Sequence, residues 1–576
     1  MFQSLEPRLL FAGIELSVLS SIDAGKTAEI VAHDPRTQRL FAISAEDDLL
    51  TILDVADASN PVLFKTVDVS AVGSPNSVAV RDGVVAVALD NPEGDFLPGS
   101  VAFFKTNGQL INVLPVGATP DMVLFTPDGP SLLVANEGQP KSYGKPDSID
   151  AEGSVSIVHF SKGLGAGNIK KLTAADVSTA SFASFNDDIA ELRAAGVRIY
   201  GPDATVAQDI EPEYITVAPD GVTAYVSLQE NNAIATLDIP SATITAITPL
   251  GYKNHNAPGN GIDASDRDTK INIANWPVLG MYQPDAIYSY SFGGQTFIVT
   301  ANEGDARDYS GFAEEARVGS VKLDPTVFPD GDDLKKTANL GRLRITNTQG
   351  DTDGDGDFDE LYSFGGRSFS IFTPDGTLIY DSGDDLEQIT AAANPEFFNA
   401  SNSNNILEDR SDDKGPEPEG LALGTINGRT YAFLGLERIG GIMVFDVTDP
   451  AAPQFLQYIN NRDFTKAIDS GLAGDLGPEG VKFIPAEESP TGQPLLAVAN
   501  EISGTVTLYA IATAVAAAPA AATSVSSSAP VSSSVASPAI AAAVAAELPR
   551  VASSNIASVF ATDADLLQRQ FGLLLE

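Results

Sequence analysis

An acidic stretch in the second half of the chain has the residue types and spacing of an oxygen-ligand metal loop. It reads DTDGDGDFDE from Asp351 to Glu360, six acids in ten residues without one base. Alternate side chains of such a loop converge on one point, and glycine permits the sharp turn that closes it. The sequence therefore predicts a cation site, and oxygen ligands favour calcium. The predicted ligands are Asp351, Asp353, Asp355, Asp357 and Asp359.

The loop differs from a helix–loop–helix calcium site at its last ligand. Acids stand at positions 1, 3 and 5 and glycine at position 6, but Tyr362 occupies position 12, where that site has glutamate. The closer match is the short calcium loop of dockerin and thrombospondin-type repeats. Another divalent metal would also suit these ligands, and a solvated acidic turn without an ion is the alternative.

A second set of ionisable residues follows the segment TFIVTAN. It contains Glu303, Asp305, Arg307 and Asp308. Arg307 between two aspartates has two interpretations: a structural ion pair, or a clamp for an anionic or phosphorylated ligand whose metal the acids hold.

The tripeptide Pro-Glu-Gly opens two of the repeat copies, with its glutamates at Glu419 and Glu479. At the start of an innermost strand of a closed array, this tripeptide would direct its carboxylate into the axial channel. The two glutamates are therefore candidate metal ligands or general bases. The other interpretation is that Glu and Gly only form the turn at the start of the strand.

The elements that must position these acids repeat along the chain. Each copy has proline with an acidic or polar residue, a short apolar strand, a PDG-type turn, a second strand, an acidic turn and a third strand. Clear copies begin at Pro120, Pro212, Pro284, Pro418 and Pro478, looser ones near Thr27 and Pro75, and a degenerate one covers 362–381. Irregularly spaced repeats of this kind are typical of a β-propeller. We predict an all-β fold with seven or eight blades: eight copies can be counted, but the first could complete the last blade.

The chain is predicted to contain one large domain and three terminal segments. Helical or irregular insertions are expected at 181–196, 251–283 and 324–340. The predicted parts are a sorting segment at 1–13, the propeller at 14–511, a low-complexity Ala/Ser/Pro linker at 512–554 and a short amphipathic segment at 555–576. The first segment resembles the LEPR-XLL sorting motif through Leu5–Leu10.

The composition of the chain limits the kinds of partner that it is expected to bind. The 77 acids and 34 bases give a formal charge of −43, which disfavours nucleic acids and anionic membranes because phosphate contacts require Lys and Arg. Divalent cations are the more natural partners. The chain has no cysteine and three histidines in unrelated positions, so a metal would be held by oxygen atoms. No apolar run is long enough to be a transmembrane segment.

Three long motifs resemble the choice-of-anchor I family. They are ANEGDARDY at 301–309, DTDGDGDFDELYSFGGRSFSIF at 351–372 and DDKGPEPEGLALG at 412–424. The family includes bacterial surface proteins and mesenchyme-specific cell-surface glycoproteins associated with biomineralisation. The resemblance implies an extracellular or cell-surface β-propeller. The Pro-Glu-Gly turns are also similar to those of esterase-like phytase propellers, and no established catalytic mechanism comes with the family.

Two functional hypotheses follow. The first is a secreted or cell-surface calcium-binding propeller with a role in adhesion, matrix organisation or mineral handling, whose partners are divalent cations and surface or matrix polymers. The second is a metal-dependent phosphoesterase, alkaline-phosphatase-like or phytase-like, in which acids hold a metal that activates water and Arg307 stabilises the phosphoryl charge. Its acids would be Glu303, Asp305, Asp308, Glu419 and Glu479. Whether the protein is an enzyme stays open at this point.

Overall fold

The strands of the repeated segments form seven four-stranded antiparallel sheets in the computed structural model, which describes residues 13–513. The predicted sorting motif, the amphipathic segment and all but the first two residues of the predicted linker lie outside the described residues. No helix within 13–513 combines the length and apolar character that crossing a membrane requires.

Sheets I to IV are each built from four consecutive strands, numbered from the innermost outward. Sheet I has β2 (Val31–Asp34), β3 (Arg39–Ser44), β4 (Leu49–Asp54) and β5 (Val62–Asp68). Sheet II has β6 (Pro75–Arg81), β7 (Val84–Leu89), β8 (Pro98–Lys105) and β9 (Leu110–Ala118). Sheet III has β10 (Pro120–Phe125), β11 (Ser131–Asn136), β12 (Ser154–His159) and β13 (Val177–Ser181). Sheet IV has β14 (Pro212–Val217), β15 (Thr223–Leu228), β16 (Ala233–Asp238) and β17 (Thr243–Pro249).

The other three sheets include one interrupted by an insertion and one shared between the two ends of the domain. Sheet V has β20 (Ile287–Phe292), β21 (Gln295–Asn302), β27 (Ser368–Phe372) and β28 (Leu378–Asp381). Sheet VI has β29 (Pro418–Ile426), β30 (Arg429–Leu436), β31 (Ile442–Asp446) and β32 (Gln454–Ile459). Sheet VII has β33 (Pro478–Ile484), β34 (Leu495–Asn500), β35 (Thr505–Thr513) and β1 (Ile14–Asp23).

The innermost strands form a closed ring. β2 contacts β6, and the contacts continue through β10, β14, β20, β29 and β33 back to β2. Sheet VII is closed by the N-terminal strand β1, which pairs with β35 from Ile14 opposite Thr513 to Asp23 opposite Thr505. This arrangement is a β-propeller, which confirms the predicted fold class. The degenerate copy at 362–381 forms no separate sheet, because its strands β27 and β28 are the outer half of sheet V.

The burial of the strands follows from this packing. Every residue of β7 (VVAVAL), β11 (SLLVAN) and β34 (LLAVAN) is buried, because neighbouring sheets cover both faces of these strands. The outermost strand β5 is exposed along almost its whole length. The core therefore consists of layers between adjacent sheets, and the polar ends of the innermost strands remain free to form a site.

The insertions carry the remaining elements. The predicted helix at 181–196 is a 3₁₀ helix at Ala183–Asp188 followed by α2 (Ile189–Ala195), which ends at Gly196 with a φ of 105°. The short strands of the insertions are β18 (Tyr252–Asn254), β19 (Leu279–Met281), β22 (Asp308–Tyr309), β23 (Phe312–Ala313), β24 (Glu315–Arg317), β25 (Arg344–Thr346) and β26 (Tyr362–Ser363). The other helices are α1 (Ala166–Ile169), α3 (Val206–Asp209), α4 (Gly331–Leu334) and α5 (Asp385–Ala393), with 3₁₀ turns at Ala174–Asp176, Val318–Ser320 and Ile468–Ser470.

Candidate functional site

One residue at the same repeat position in every sheet lines a single cavity, which we call the axial cavity. The position follows the proline that precedes or opens each innermost strand, and sheet I has alanine in place of that proline. The cavity has a volume of ≈ 450 Å³. The seven residues are Glu29, Asn76, Asp121, Glu213, Asp285, Glu419 and Glu479. The structure therefore places both predicted Pro-Glu-Gly glutamates in the same cavity.

A second set of acids reaches the cavity from the ends of the second strands. Glu303, Glu437 and Glu501 each follow the last residue of such a strand, and Asp305 lies just beyond Glu303. The described lining contains ten carboxylates but only two basic groups, those of Lys414 and Arg438. This imbalance makes the cavity strongly attractive to cations.

Three of the lining carboxylates are close enough to share one ion. Oxygen atoms of Asp285, Glu303 and Glu419 lie within 4.8 Å of one another. Glu303 accepts hydrogen bonds from Lys414 Nζ at 2.6 Å and from Gln229 Nε2 at 3.0 Å. Glu419 Oε2, in contrast, is buried without a hydrogen-bond partner. Oxygen ligands of this kind fit calcium or magnesium.

The two bases of the cavity are held by an ion-pair network that sequence reasoning missed. Lys414 Nζ lies 3.1 Å from Glu417 Oε2, and Arg438 Nε donates to the same oxygen at 3.0 Å. Burial alone would raise the pKa of Glu417, but Lys414, Arg410 and Arg438 together lower it to about 2. The motif DDKGPEPEG contains Lys414 and Glu417, yet only the fold shows that they support this cavity.

Arg307 and Asp308 lie outside the axial cavity. Arg307 is 1% exposed, and its Nη1 and Nε lie 3.0 Å from Asp209 Oδ1 and 3.1 Å from Glu211 Oε2. Its guanidinium also stacks over the ring of Tyr200 at 4.6 Å. Asp308 is exposed on the short strand β22. Of the six residues proposed for catalysis, four line the cavity, and the geometry of Arg307 is that of a structural ion pair.

The predicted calcium loop divides into two acidic groups. Oxygen atoms of Asp351, Asp353 and Asp355 lie within 4.8 Å of one another in an exposed turn. The backbone N–H groups of Gly354 and Gly356 donate to Asp351 at 2.7 and 3.0 Å. Both glycines have positive φ, 81° and 94°, so the turn depends on residues without a Cβ.

The second group combines Asp357 and Asp359 with Asp324, which the sequence did not single out. Oxygen atoms of the three lie within 4.8 Å of one another. Asp324 is brought there because its backbone N–H donates to the carbonyl of Phe358 at 3.0 Å. Partial burial, followed by the nearby Asp355, raises the pKa of Asp357. The five predicted ligands therefore belong to two adjacent groups rather than to one.

Comparisons with known proteins identify one matching family model and two relatives. A family model described as the choice-of-anchor I domain matches residues 29–450. Gigasin-3a of Magallana gigas is 37% identical over 190 residues, which are 31% of this chain and 66% of that protein. The mesenchyme-specific cell surface glycoprotein of Strongylocentrotus purpuratus is 31% identical over 278 residues, 42% of this chain and 35% of that protein. The matches thus span less than two thirds of either relative.

Two solved structures have been aligned with the chain. Hydrazine synthase of Kuenenia stuttgartiensis aligns with a TM-score of 0.42 and 14% identity, covering 84% of this chain and 96% of that one. The Cps50 (Swd1) β-propeller domain of Myceliophteria thermophila aligns with a TM-score of 0.40 and 6% identity, covering 86% and 99%.

Proposed function

Since the chain belongs to the choice-of-anchor I family, we propose that it is an extracellular or cell-surface β-propeller that binds calcium through the loop from Asp351 to Asp359. The observation that carries this proposal is the approach of the Asp351, Asp353 and Asp355 oxygens to within 4.8 Å. The name of the Strongylocentrotus purpuratus relative supports a surface location, and the charge of −43 supports cations as partners.

The loop meets the chemical requirements of calcium. Calcium takes six to eight oxygen ligands in a flexible arrangement, so carboxylates, backbone carbonyls and water can share the coordination. Without a cation, adjacent carboxylates repel one another, and no base lies within the loop sequence to offset this repulsion. Asp324, Asp357 and Asp359 offer a second position beside the first. A rigid acidic propeller of this kind would serve in adhesion, matrix organisation or mineral handling.

We expect calcium to bind saturably and to raise the melting temperature of the full chain. At a free calcium concentration of 100 times Kd, binding adds about 2.7 kcal/mol to the free energy of unfolding. The double substitution Asp353→Ala and Asp355→Ala should abolish this binding, because it removes two of three converging carboxylates. Calorimetric titration and thermal melting measure both effects.

The matched control is a double substitution that removes two negative charges outside the loop. Glu487 and Glu488 are adjacent exposed acids in the loop between β33 and β34. Glu487→Ala with Glu488→Ala should leave calcium binding unchanged. Equal losses in the two double variants would mean that calcium responds only to net charge, and the loop would then not be a site.

A second function, metal-dependent phosphoester hydrolysis, is favoured by one observation. Glu303, Asp305, Glu419 and Glu479 come from distant parts of the chain and all line the axial cavity, beside Lys414. A divalent cation on Asp285, Glu303 and Glu419 could activate water, and Lys414 could offset phosphoryl charge. Arg307 does not take part, because both of its acidic partners are buried with it.

If this second function is correct, phosphate release from p-nitrophenyl phosphate should require a divalent cation. Glu419→Gln should lower kcat/KM at least about a hundredfold by removing a metal ligand. The calcium-loop double variant should retain the activity. If the unmodified chain releases no more phosphate with a divalent cation than Glu419→Gln does, this function is excluded. The calcium proposal would be unaffected.

A further inference from the structure

A groove on the insertions is separate from both acidic sites, and we call it the rim groove. It lies between the segment after α2 and the insertions that contain β18 and β23, with a volume of ≈ 640 Å³. Aromatic side chains of Tyr200, Tyr252 and Phe312 line it. Arg193, Arg198 and Gln349 contribute polar groups to the lining. None of the residues that line it is an aspartate or a glutamate.

The aromatic rings of the groove are held in place by contacts behind them. The ring of Tyr200 lies 4.2 Å from the Arg198 guanidinium and 4.6 Å from that of Arg307, and its hydroxyl donates to Glu314 at 2.6 Å. Phe312 packs beside Tyr200 with ring centroids 6.0 Å apart. Tyr200 and Phe312 are only half-buried, so part of their surface stays accessible. Preorganised aromatic surfaces of this kind are typical of ligand sites.

The charge of the groove is opposite to that of the chain. Arg198 forms an ion pair with Glu314, but its buried Nε has no hydrogen-bond acceptor. Arg193 donates through Nε to the carbonyl of Ile199 at 2.7 Å, and no carboxylate of residues 13–513 lies within ion-pair distance of it. Arg193 is exposed at the groove beside the aromatic rings, where no acid of the lining competes for its guanidinium. Two arginines with free N–H groups and no acid in the lining suit a ligand that carries a negative group.

We propose that the rim groove binds an acidic saccharide, a sugar chain whose rings carry carboxylates. The apolar faces of sugar rings suit Tyr200 and Phe312, and their hydroxyl groups suit the Gln349 amide. The planar guanidinium of Arg193 matches the carboxylate of a uronic acid in a bidentate arrangement. This site is independent of the calcium loop and of the axial cavity, and the proposal goes beyond the calcium function.

The test is calorimetric titration of the full chain with tetragalacturonate in EDTA. EDTA removes divalent cations, so that a uronate cannot bind indirectly through calcium on the Asp351 loop. We expect saturable binding, weakened about tenfold by Phe312→Ala and by Arg193→Ala, the loss of one aromatic or one charged contact. Cellotetraose, a neutral chain of the same length, should bind at least tenfold more weakly.

Two substitutions outside the groove serve as controls. Phe292 is an exposed phenylalanine and Arg36 an exposed arginine paired with Asp82. Phe292→Ala and Arg36→Ala should not change the affinity. If Phe312→Ala lowers the melting temperature, Gln349→Ala tests the groove in its place, because it removes only an amide. The proposal is overturned if no binding occurs in EDTA, if the neutral sugar binds with equal affinity, or if all three groove variants bind as tightly as the unmodified chain. Each of these results would leave the calcium proposal unaffected.

Discussion

The substitution Arg307→Met is expected to lower the free energy of unfolding by about 3–5 kcal/mol, the cost of removing one partner from a buried ion pair. Asp209 and Glu211 are both fully buried and both lie within 3.1 Å of the Arg307 guanidinium. Methionine fills a similar volume but leaves two carboxylates without a counter-charge. Their desolvation is then no longer offset, and water cannot reach them without opening the packed insertion.

Urea unfolding followed by tryptophan fluorescence and circular dichroism measures this effect. Arg36→Met is the matched control, because Arg36 and Asp82 form an exposed pair with side chains 62% and 50% exposed. Exposed pairs contribute less than about 1 kcal/mol, so this variant should unfold close to the unmodified chain. Near-normal stability of Arg307→Met would contradict the structural role of Arg307 and would reopen its interpretation as an anion clamp.

The stability of the metal-free protein is expected to fall by at least about 2–4 kcal/mol between pH 6.5 and pH 8.5, because burial raises the folded-state pKa of several carboxyls, among them Glu230, Glu437 and Asp263, to about 8. Burial, and then the nearby Glu211, raises the pKa of Glu230 to about 8. Burial is also the main cause that raises the pKa of Glu437 to about 8. Both residues are at least nine-tenths buried, with exposures of 4% and 6%.

The sign follows from proton binding. A carboxyl with a raised folded-state pKa holds its proton in the folded chain and not in the unfolded chain, so its contribution is present at low pH and is lost as pH rises through about 8. The buried histidines act in the opposite direction: burial lowers the pKa of His33 to about 4 and of His255 to about 3. The histidine contribution to the free energy of unfolding changes only below the ordinary histidine pKa of about 6.5. The pH window of this prediction therefore begins at about 6.5.

Urea unfolding in EDTA at several pH values measures this dependence. Glu230→Gln should reduce it by about 1–2 kcal/mol, the share of one carboxyl. Glu230 Oε2 has no hydrogen-bond partner that the amide would disturb. Glu191→Gln, on the exposed surface of α2, should leave the dependence unchanged. Stability that is flat or that rises across this pH window would show that these carboxyls are ionised and compensated in the folded protein.

Several features were predictable from local sequence because local chemistry decides them. A proline followed by an acid and an apolar run marks where an innermost strand begins. The sequence therefore predicted that Glu419 and Glu479 point to a common axis. Glycines at 354 and 356 allow the positive φ that the acidic turn needs. The charge of −43 predicts divalent cations rather than nucleic acids as partners. These properties depend on a few neighbouring residues or on composition.

The tertiary structure decided which groups meet. Asp324 joins Asp357 and Asp359 only because its segment lies beside Phe358, and Lys414 reaches Glu303 only because sheets V and VI are neighbours in the ring. Arg307 follows the same acidic turn as Glu303, yet burial against Asp209 and Glu211 turns it from a candidate ligand clamp into an internal ion pair. Sequence spacing specifies side chains along one strand, whereas charge partners, burial and pKa values depend on contacts between segments that are distant along the chain.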